Sequence, residues 1–174
     1  MNLVSVLEDV RLKKDEKRKE IINSLNNKEF TIKEINIFKN ILDERDLIIV
    51  LEAMEVVTRK NPHIADLKWL EFVEEYIIAD SNNLKRESSR IVGNIAHLFP
   101  NNLKNVIEKL LVNSLDKGTV IRWSSAYALS RIIIIPVYAQ SELYNTLLKI
   151  YEKEAESGVR GQYQNGLLKA EKIR

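Results

Sequence analysis

Two pairs of adjacent serines and two histidines are the residues of this sequence whose chemistry could serve a nucleophilic enzyme. They are Ser88 and Ser89, Ser124 and Ser125, and His63 and His97. A serine nucleophile needs a base within hydrogen-bonding distance and a third group that orients this base, and the sequence offers no such triad. Because serine is small, we interpret both pairs as positions where packed helices approach closely. The sequence therefore predicts a protein that is not an enzyme.

Motifs for metals and cofactors are missing from the sequence as well. It contains no cysteine, which excludes disulfides and thiolate metal sites. No set of histidines and carboxylates has the spacing of a metal site, and neither a glycine-rich phosphate loop nor a GxSxG motif occurs. We expect no metal and no cofactor.

Charge is distributed unevenly along the 174 residues, although the net charge is only +2. Residues 1–83 contain 13 Lys and Arg against 17 Asp and Glu, a balance of −4. Residues 84–174 contain 14 against 8, a balance of +6. If the molecule is elongated, its two ends present electrostatic fields of opposite sign.

The hydrophobic stretches of the sequence are too short to cross a bilayer. The longest apolar runs are 47–51 and 132–139, whereas a transmembrane helix needs about 20 apolar residues. Residues 1–10 include Glu8 and Asp9 and lack the apolar centre of a secretory signal. We expect a cytoplasmic protein that does not contact a membrane.

Three similar stretches recur in the sequence and indicate how it is organised. They span 84–95, 121–132 and 159–170, at offsets of 37 and 38 residues. Each begins with an aliphatic residue followed by Lys or Arg, and apolar or small residues then recur at helical spacing. A fixed period of this length is typical of proteins built from repeated helical hairpins.

An amphipathic segment precedes each of these stretches. Apolar residues from Leu103 to Leu111 follow the i, i+3, i+4 pattern of a core-facing helix, and segments 64–79 and 141–154 show the same pattern. Short turns that contain glycine or acidic residues separate each segment from the stretch that follows. Each unit is therefore predicted to be a helix, a short turn and a second helix.

The stretches 86–96 (RESSRIVGNIA) and 122–132 (RWSSAYALSRI) resemble the second helix of a HEAT repeat, a family marked by an Asp in the turn and a Val-Arg pair that opens this helix. This resemblance covers about 62–174. It implies an all-α fold, an α-α superhelix (a HEAT-like solenoid) of about four helical hairpins with an N-terminal capping helix. The single domain, 1–174, would consist of a cap at 1–26 and repeats at 28–60, 62–98, 100–135 and 137–174.

Cations recur near the start of each second helix, and acidic residues precede them. These residues are Lys85, Arg122 and Arg160, preceded by Asp80, Asp116 and Glu156. In HEAT proteins the matching residues commonly form a ladder of ion pairs between neighbouring repeats, so the resemblance implies such a ladder here. The alternative is that these cations face a ligand.

One face of the predicted second helices combines cationic and aromatic side chains at i, i+4 spacing. We name this set the second-helix strip; its members are Arg86, Arg90, Asn94, Trp123, Tyr127, Arg131 and Lys169. In a solenoid the second helices line the concave surface, so these residues would lie side by side. Trp, Tyr and Arg dominate many binding interfaces, and we predict that the strip binds a partner. The alternative is that Trp123 and Tyr127 pack against neighbouring side chains and the arginines are solvated.

These features predict a non-enzymatic protein-binding scaffold or adaptor, whose partner presents an acidic segment to the basic and aromatic concave face. The alternative is a nucleic-acid-binding HEAT protein related to alkylation-repair solenoids, for which binding would depend strongly on salt. A homodimer through a terminal repeat is a further alternative, because the last hairpin includes the apolar residues Leu167 and Leu168.

Overall fold

The computed structural model describes residues 2–174, and within this range the chain is all-helical, as predicted, with eleven α-helices, three 3-10 helices and no strand. The first α-helices are α1 (Leu3–Glu8), α2 (Lys14–Asn26), α3 (Ile32–Phe38), α4 (Glu44–Lys60) and α5 (Leu67–Glu74). The others are α6 (Asn82–Ile95), α7 (Lys104–Asn113), α8 (Thr119–Ile132), α9 (Pro136–Ala139), α10 (Leu143–Lys153) and α11 (Ser157–Glu171). The 3-10 helices are Pro62–Ile64, Ala96–Leu98 and Pro100–Asn102. Every helix in residues 2–174 is too short or too polar to cross a bilayer.

The longer helices lie side by side in chain order. Helix α4 packs between α2 and α6, and α8 packs between α6 and α11. A shorter helix precedes each of four long ones, and α5, α7 and α10 contact the long helices α6, α8 and α11 that follow them. One short and one long α-helix fall within each of the ranges 28–60, 62–98 and 100–135, whereas 137–174 contains α10, α11 and most of the four-residue α9. We refer to α4, α6, α8 and α11 as the second helices.

Residues at helix N-termini explain where several of the helices begin. Pro62, Pro100 and Pro136 each take the first position of a helix, where the N–H that proline lacks is not needed. Asp43 caps α4, because its side chain accepts a hydrogen bond from the backbone N–H of Asp46 at 2.9 Å. These four helices therefore start at residues that suit a helix N-terminus.

Small residues let neighbouring second helices approach closely. A methyl group added at Gly93 would lie 2.7 Å from the Tyr127 ring, and one added at Gly166 would lie 2.7 Å from the backbone of Ser130. The four serines of the two adjacent pairs are buried, and three of them donate hydrogen bonds to backbone carbonyls. All four serines lie away from solvent, as the predicted packing role requires, and Ser125 reaches across to Leu110 on α7.

Two of the three cations that the predicted ladder contains form ion pairs with the next hairpin. Lys85 Nζ lies 3.2 Å from Oδ2 of Asp116 in the next hairpin. Arg122 Nε lies 2.9 Å from Oε2 of Glu154, so the acid of this ion pair is Glu154 and not Glu156, which the sequence places in the ladder. The reason is that the chain turns Glu154 inward, to a side-chain exposure of 6%, whereas Glu156 is exposed. Arg160, the third cation of the ladder, lies in the last hairpin of residues 2–174, and this range contains no following hairpin with which it could pair.

We expect Gly166→Ala to destabilise the protein, because the added methyl group would meet the backbone of Ser130 and force α11 away from α8. Overpacking of this kind costs about 1–3 kcal/mol. Gly161→Ala in the same helix is the matched control, because its added methyl group meets no atom within 4 Å. Its higher helix propensity stabilises the protein by up to about 1 kcal/mol. Urea unfolding followed by circular dichroism measures both changes, and equal effects of the two variants would contradict the close helix contact.

Glu154 makes the stability depend on pH. Burial acts to raise the pKa of Glu154, but hydrogen bonds from Arg122 and from the backbone N–H of Glu156 outweigh burial, and the pKa lies below its ordinary value of 4.5. Its stabilising contribution is therefore complete above pH 4.5 and is lost as the pH falls through the lowered pKa of the folded state. We expect Glu154→Gln to melt at a lower temperature than wild type at neutral pH, with a difference that shrinks in acid. A difference that stays constant between neutral pH and about pH 3 would contradict this assignment.

Candidate functional site

The second-helix strip lies on three helices that the fold places side by side. Arg86, Arg90 and Asn94 are on α6, Trp123, Tyr127 and Arg131 are on α8, and Lys169 is on α11. Lys169 is exposed, Asn94 is buried, and the other five residues are partly buried. The structure thus brings the predicted residues to neighbouring helices, but it buries more of their surface than the sequence indicates.

Two buried carboxylates neutralise the arginines of the strip on α6. Arg86 Nε lies 2.7 Å from Oε1 of Glu87. Arg90 lies 3.2 Å from the other oxygen of Glu87 and 3.0 Å from Oε1 of Glu55 on α4. Both glutamates are 3% exposed, so each needs a cation to offset its lost hydration. Arg86 and Arg90 therefore hold the protein's own carboxylates, and they are not the free cations that the sequence predicts.

This charge network continues toward the N-terminal end of the helix row. Glu52 on α4 lies 2.8 Å from Lys14 Nζ and 3.1 Å from Arg18 Nη1 on α2. A cavity of about 390 Å³ opens among these side chains, and we name it the N-terminal cavity. Its charged lining residues are Arg18, Glu52, Glu55, Arg86, Glu87 and Arg90. Arginines and the carboxylates that pair with them thus line the same cavity.

Asn94 links three second helices through hydrogen bonds. Its Nδ2 donates to Oγ1 of Thr58 at 3.1 Å and to the backbone oxygen of Glu55 at 3.4 Å, both on α4. Its Oδ1 accepts a hydrogen bond from the Tyr127 hydroxyl on α8 at 2.6 Å. The predicted exposure of Asn94 is therefore wrong, because its amide is occupied in joining α4, α6 and α8.

Three side chains of α8 form a stack beside this asparagine. The rings of Trp123 and Tyr127 have centroids 5.4 Å apart and an interplanar angle of 28°. The guanidinium carbon of Arg131 lies 3.5 Å from the centroid of the Tyr127 ring, a cation–π contact, and its Nη1 donates to the Tyr127 backbone oxygen at 3.2 Å. Within residues 2–174, Arg131 forms no ion pair. The stack therefore holds a cation whose charge no carboxylate offsets.

A second cavity, of about 310 Å³, opens between α4, α6 and α8, and we name it the C-terminal cavity. Its polar lining residues are Thr58, Arg59, Asn94, His97, Tyr127 and Arg131. Two guanidinium groups line it, and none of its described lining residues is an acid. Arg59 Nε lies 3.1 Å from Oε1 of Glu55, which itself lines the N-terminal cavity. The C-terminal cavity is therefore the cationic part of the second-helix surface.

Two histidines that are far apart in the sequence lie together beside this cavity. The rings of His63 and His97 have centroids 6.2 Å apart and meet edge to face. Burial, with a smaller effect of His63, lowers the pKa of His97. The lowered pKa favours the neutral form of His97 at pH 7. In the described part of the chain, no three histidine or acidic side chains are placed to hold a metal ion.

The sequence analysis missed the contribution of α4 to both cavities. Glu55 and Arg59 stand four residues apart on this helix and pair across one turn. Glu55 also interrupts a run of residues that is otherwise mainly apolar, between Leu47 and Val57. An acid among residues of a core-facing helix is the available signal, since such a side chain requires a buried cationic partner.

Comparison with known proteins supports the fold alone. No protein-family model matches the chain, and the search of curated proteins finds no match. Among solved structures, the chain is similar to the crystal structure of an engineered protein, with a TM-score of 0.54 and 11% sequence identity. The likeness covers 98% of this chain and 95% of that chain. It therefore supports the all-helical architecture over nearly the full length.

Proposed function

We propose that this protein is a HEAT-like α-α superhelix that acts as a non-enzymatic scaffold or adaptor and binds an acidic segment of a protein partner. Three features of the fold support the first part of this proposal. The second helices lie in chain order, each predicted repeat range contains a shorter helix followed by a second helix, and ion pairs join neighbouring hairpins. An array of this kind offers its second helices as one continuous surface.

The pairing of cations along the strip is the observation that supports the binding role. Arg86 and Arg90 are occupied by internal carboxylates, whereas Arg131 and Lys169 pair with no carboxylate in residues 2–174. The aromatic stack of Trp123 and Tyr127 lies next to Arg131. Aromatic and arginine side chains that are held rigidly are typical anchors of protein interfaces. The partner is therefore expected on the α8 and α11 part of the strip.

Nucleic-acid binding is the second candidate, and the charge of +6 in residues 84–174 favours it. Two observations weigh against it. Internal ion pairs occupy two of the four cations of the strip, Arg86 and Arg90, and binding to a phosphate backbone requires several free cations. A protein segment needs only a few charge-assisted contacts and some aromatic packing. We therefore place the protein partner first.

The composition of the outer face of α11 bears on the alternative that the protein forms a homodimer through its last hairpin. Gln164 and Asn165 are exposed there, and Leu168, which is 53% exposed, is the large exposed hydrophobic residue of this helix. Homodimer interfaces are usually more apolar than this face. We therefore propose that this face of α11 does not pair with a second copy.

Affinity capture with charge-reversed baits tests the proposed function. The strip variant carries Arg131→Glu and Lys169→Glu, and the control variant carries Lys149→Glu and Lys153→Glu. The control makes the same change of net charge at two exposed lysines of α10, which form no ion pair in residues 2–174. Each bait is used with and without nuclease, after its melting temperature shows that it is folded.

We expect wild type and the α10 variant to retain a protein that the strip variant loses, because only the strip variant removes Arg131 and Lys169, the free cations of the strip. Nuclease treatment should leave this protein bound. Recovery that depends on intact nucleic acid would support the second candidate, and identical recovery by all three baits would exclude the strip as the binding surface.

A further inference from the structure

The C-terminal cavity is lined by two arginines, of which Arg59 pairs with Glu55 and Arg131 pairs with no acid in residues 2–174. Arg59 and Arg131 both line its volume of about 310 Å³, and the described lining residues include no carboxylate. Arg131 uses Nη1 for the backbone of Tyr127, and its other guanidinium nitrogens form no hydrogen bond within residues 2–174. Arg59 uses Nε for Glu55, and its two terminal nitrogens are likewise without a hydrogen bond in this range. Donors from two arginines are therefore available to an anion in the cavity.

The surrounding contacts hold these donors in place. Tyr127 is anchored by its hydroxyl on Asn94, and its ring lies against Gly93 so closely that an added methyl group would come within 2.7 Å. Arg131 stacks on that ring at 3.5 Å. A guanidinium that is already positioned loses less conformational freedom on binding than a free side chain does. The Arg131 side of the cavity is therefore organised before any ligand arrives.

The N-terminal cavity shows which chemical group binds to arginines between the second helices. There, between second helices of the same row, Arg90 binds the carboxylates of Glu55 and Glu87 at 3.0 and 3.2 Å. The C-terminal cavity repeats the arginines and lacks the acids. A carboxylate supplied from outside would complete it in the way that the internal glutamates complete its neighbour, through charge-assisted hydrogen bonds to guanidinium groups.

From this contrast we propose that the C-terminal cavity is the anchor site of the partner, and that it takes the carboxylate of one Asp or Glu side chain between Arg59 and Arg131. The proposal rests on the proposed function, because it names the group that the acidic segment inserts. The volume lies at the lower end of the range for ligand sites, about 300–1,000 Å³, and suits a single side chain. The stacked rings of Trp123 and Tyr127 then lie beside the inserted residue and offer apolar contact to its neighbours in the segment.

Nuclear magnetic resonance titration with a defined peptide tests this site. The probe is an N-acetylated, C-amidated tetraglutamate, and the matched control probe is the corresponding tetraglutamine. We expect tetraglutamate to shift the side-chain signals of Arg131 and Arg59 saturably, and tetraglutamine to leave them unchanged. Inorganic phosphate should compete with tetraglutamate for these signals, because it offers the same oxyanion chemistry.

Two variants, each with glutamine in place of one cation, show which side chain contributes to tetraglutamate binding. Arg131→Gln should weaken tetraglutamate binding about tenfold or more, as expected for the loss of a charge-assisted hydrogen bond. Lys169→Gln, which changes the strip outside the cavity, should weaken it by less. Tetraglutamate that binds Arg131→Gln as well as wild type, or that leaves the wild-type arginine signals unshifted, overturns the anchor site. Tighter binding of oligothymidylate than of tetraglutamate at Arg131 would also overturn it.

The titration and the affinity capture separate the two proposals. A partner that is lost from the strip variant, together with tetraglutamate binding that persists in Arg131→Gln, leaves the scaffold role standing and removes the anchor site. The reverse result is tetraglutamate binding at Arg131 with no protein lost from the strip variant. The cavity would then bind carboxylates, but the strip would not be the surface on which a protein partner docks.

Discussion

The close approach of the second helices is the constraint on which the rest of this structure depends. Gly93 and Gly166 leave no room for a methyl group against α8, and buried serines fill the same layer of contacts. Helices this close bring polar side chains of one helix within reach of the next. Asn94 of α6 is consequently buried between α4 and α8, where Thr58 and Tyr127 satisfy its amide. The hydrogen bonds that Asn94 needs in turn fix the position of Tyr127 and therefore of Arg131.

Electrostatic balance then divides the second-helix surface into two parts. In the N-terminal part, Glu55 and Glu87 are buried and hold the nearby arginines, because an unpaired carboxylate in such a place would be costly. In the C-terminal part, Arg131 stacks on an aromatic ring and has no acid beside it in the described chain. The cations of the second-helix strip thus have different roles. Those on α6 are structural, whereas Arg131 on α8 is available for binding.

Much of the fold was predictable from the sequence, whereas the state of the individual strip residues was not. The 3.6-residue periodicity and the recurring stretches predict the helices, and serine pairs at equivalent positions predict the burial that Ser88 and Ser124 show. Contacts between helices depend on crossing angle and axial shift, which a sequence does not display. For this reason the burial of Asn94, the pairing of Arg90 with Glu55 and the choice of Glu154 by Arg122 became visible only in the structure.

Photo-crosslinking in living cells tests the central claim most directly, namely that an acidic protein segment docks at the C-terminal cavity. A photoreactive phenylalanine derivative at Ile134 reports on this site, because Ile134 lines the cavity and is 37% exposed. The same derivative at Val112, which is 65% exposed, is the control, because it reports on α7, the short helix that precedes and contacts α8. The account predicts that position 134, and not position 112, captures a peptide rich in Asp and Glu. Capture of such a peptide only from position 112, or of nucleic acid from position 134, would contradict it.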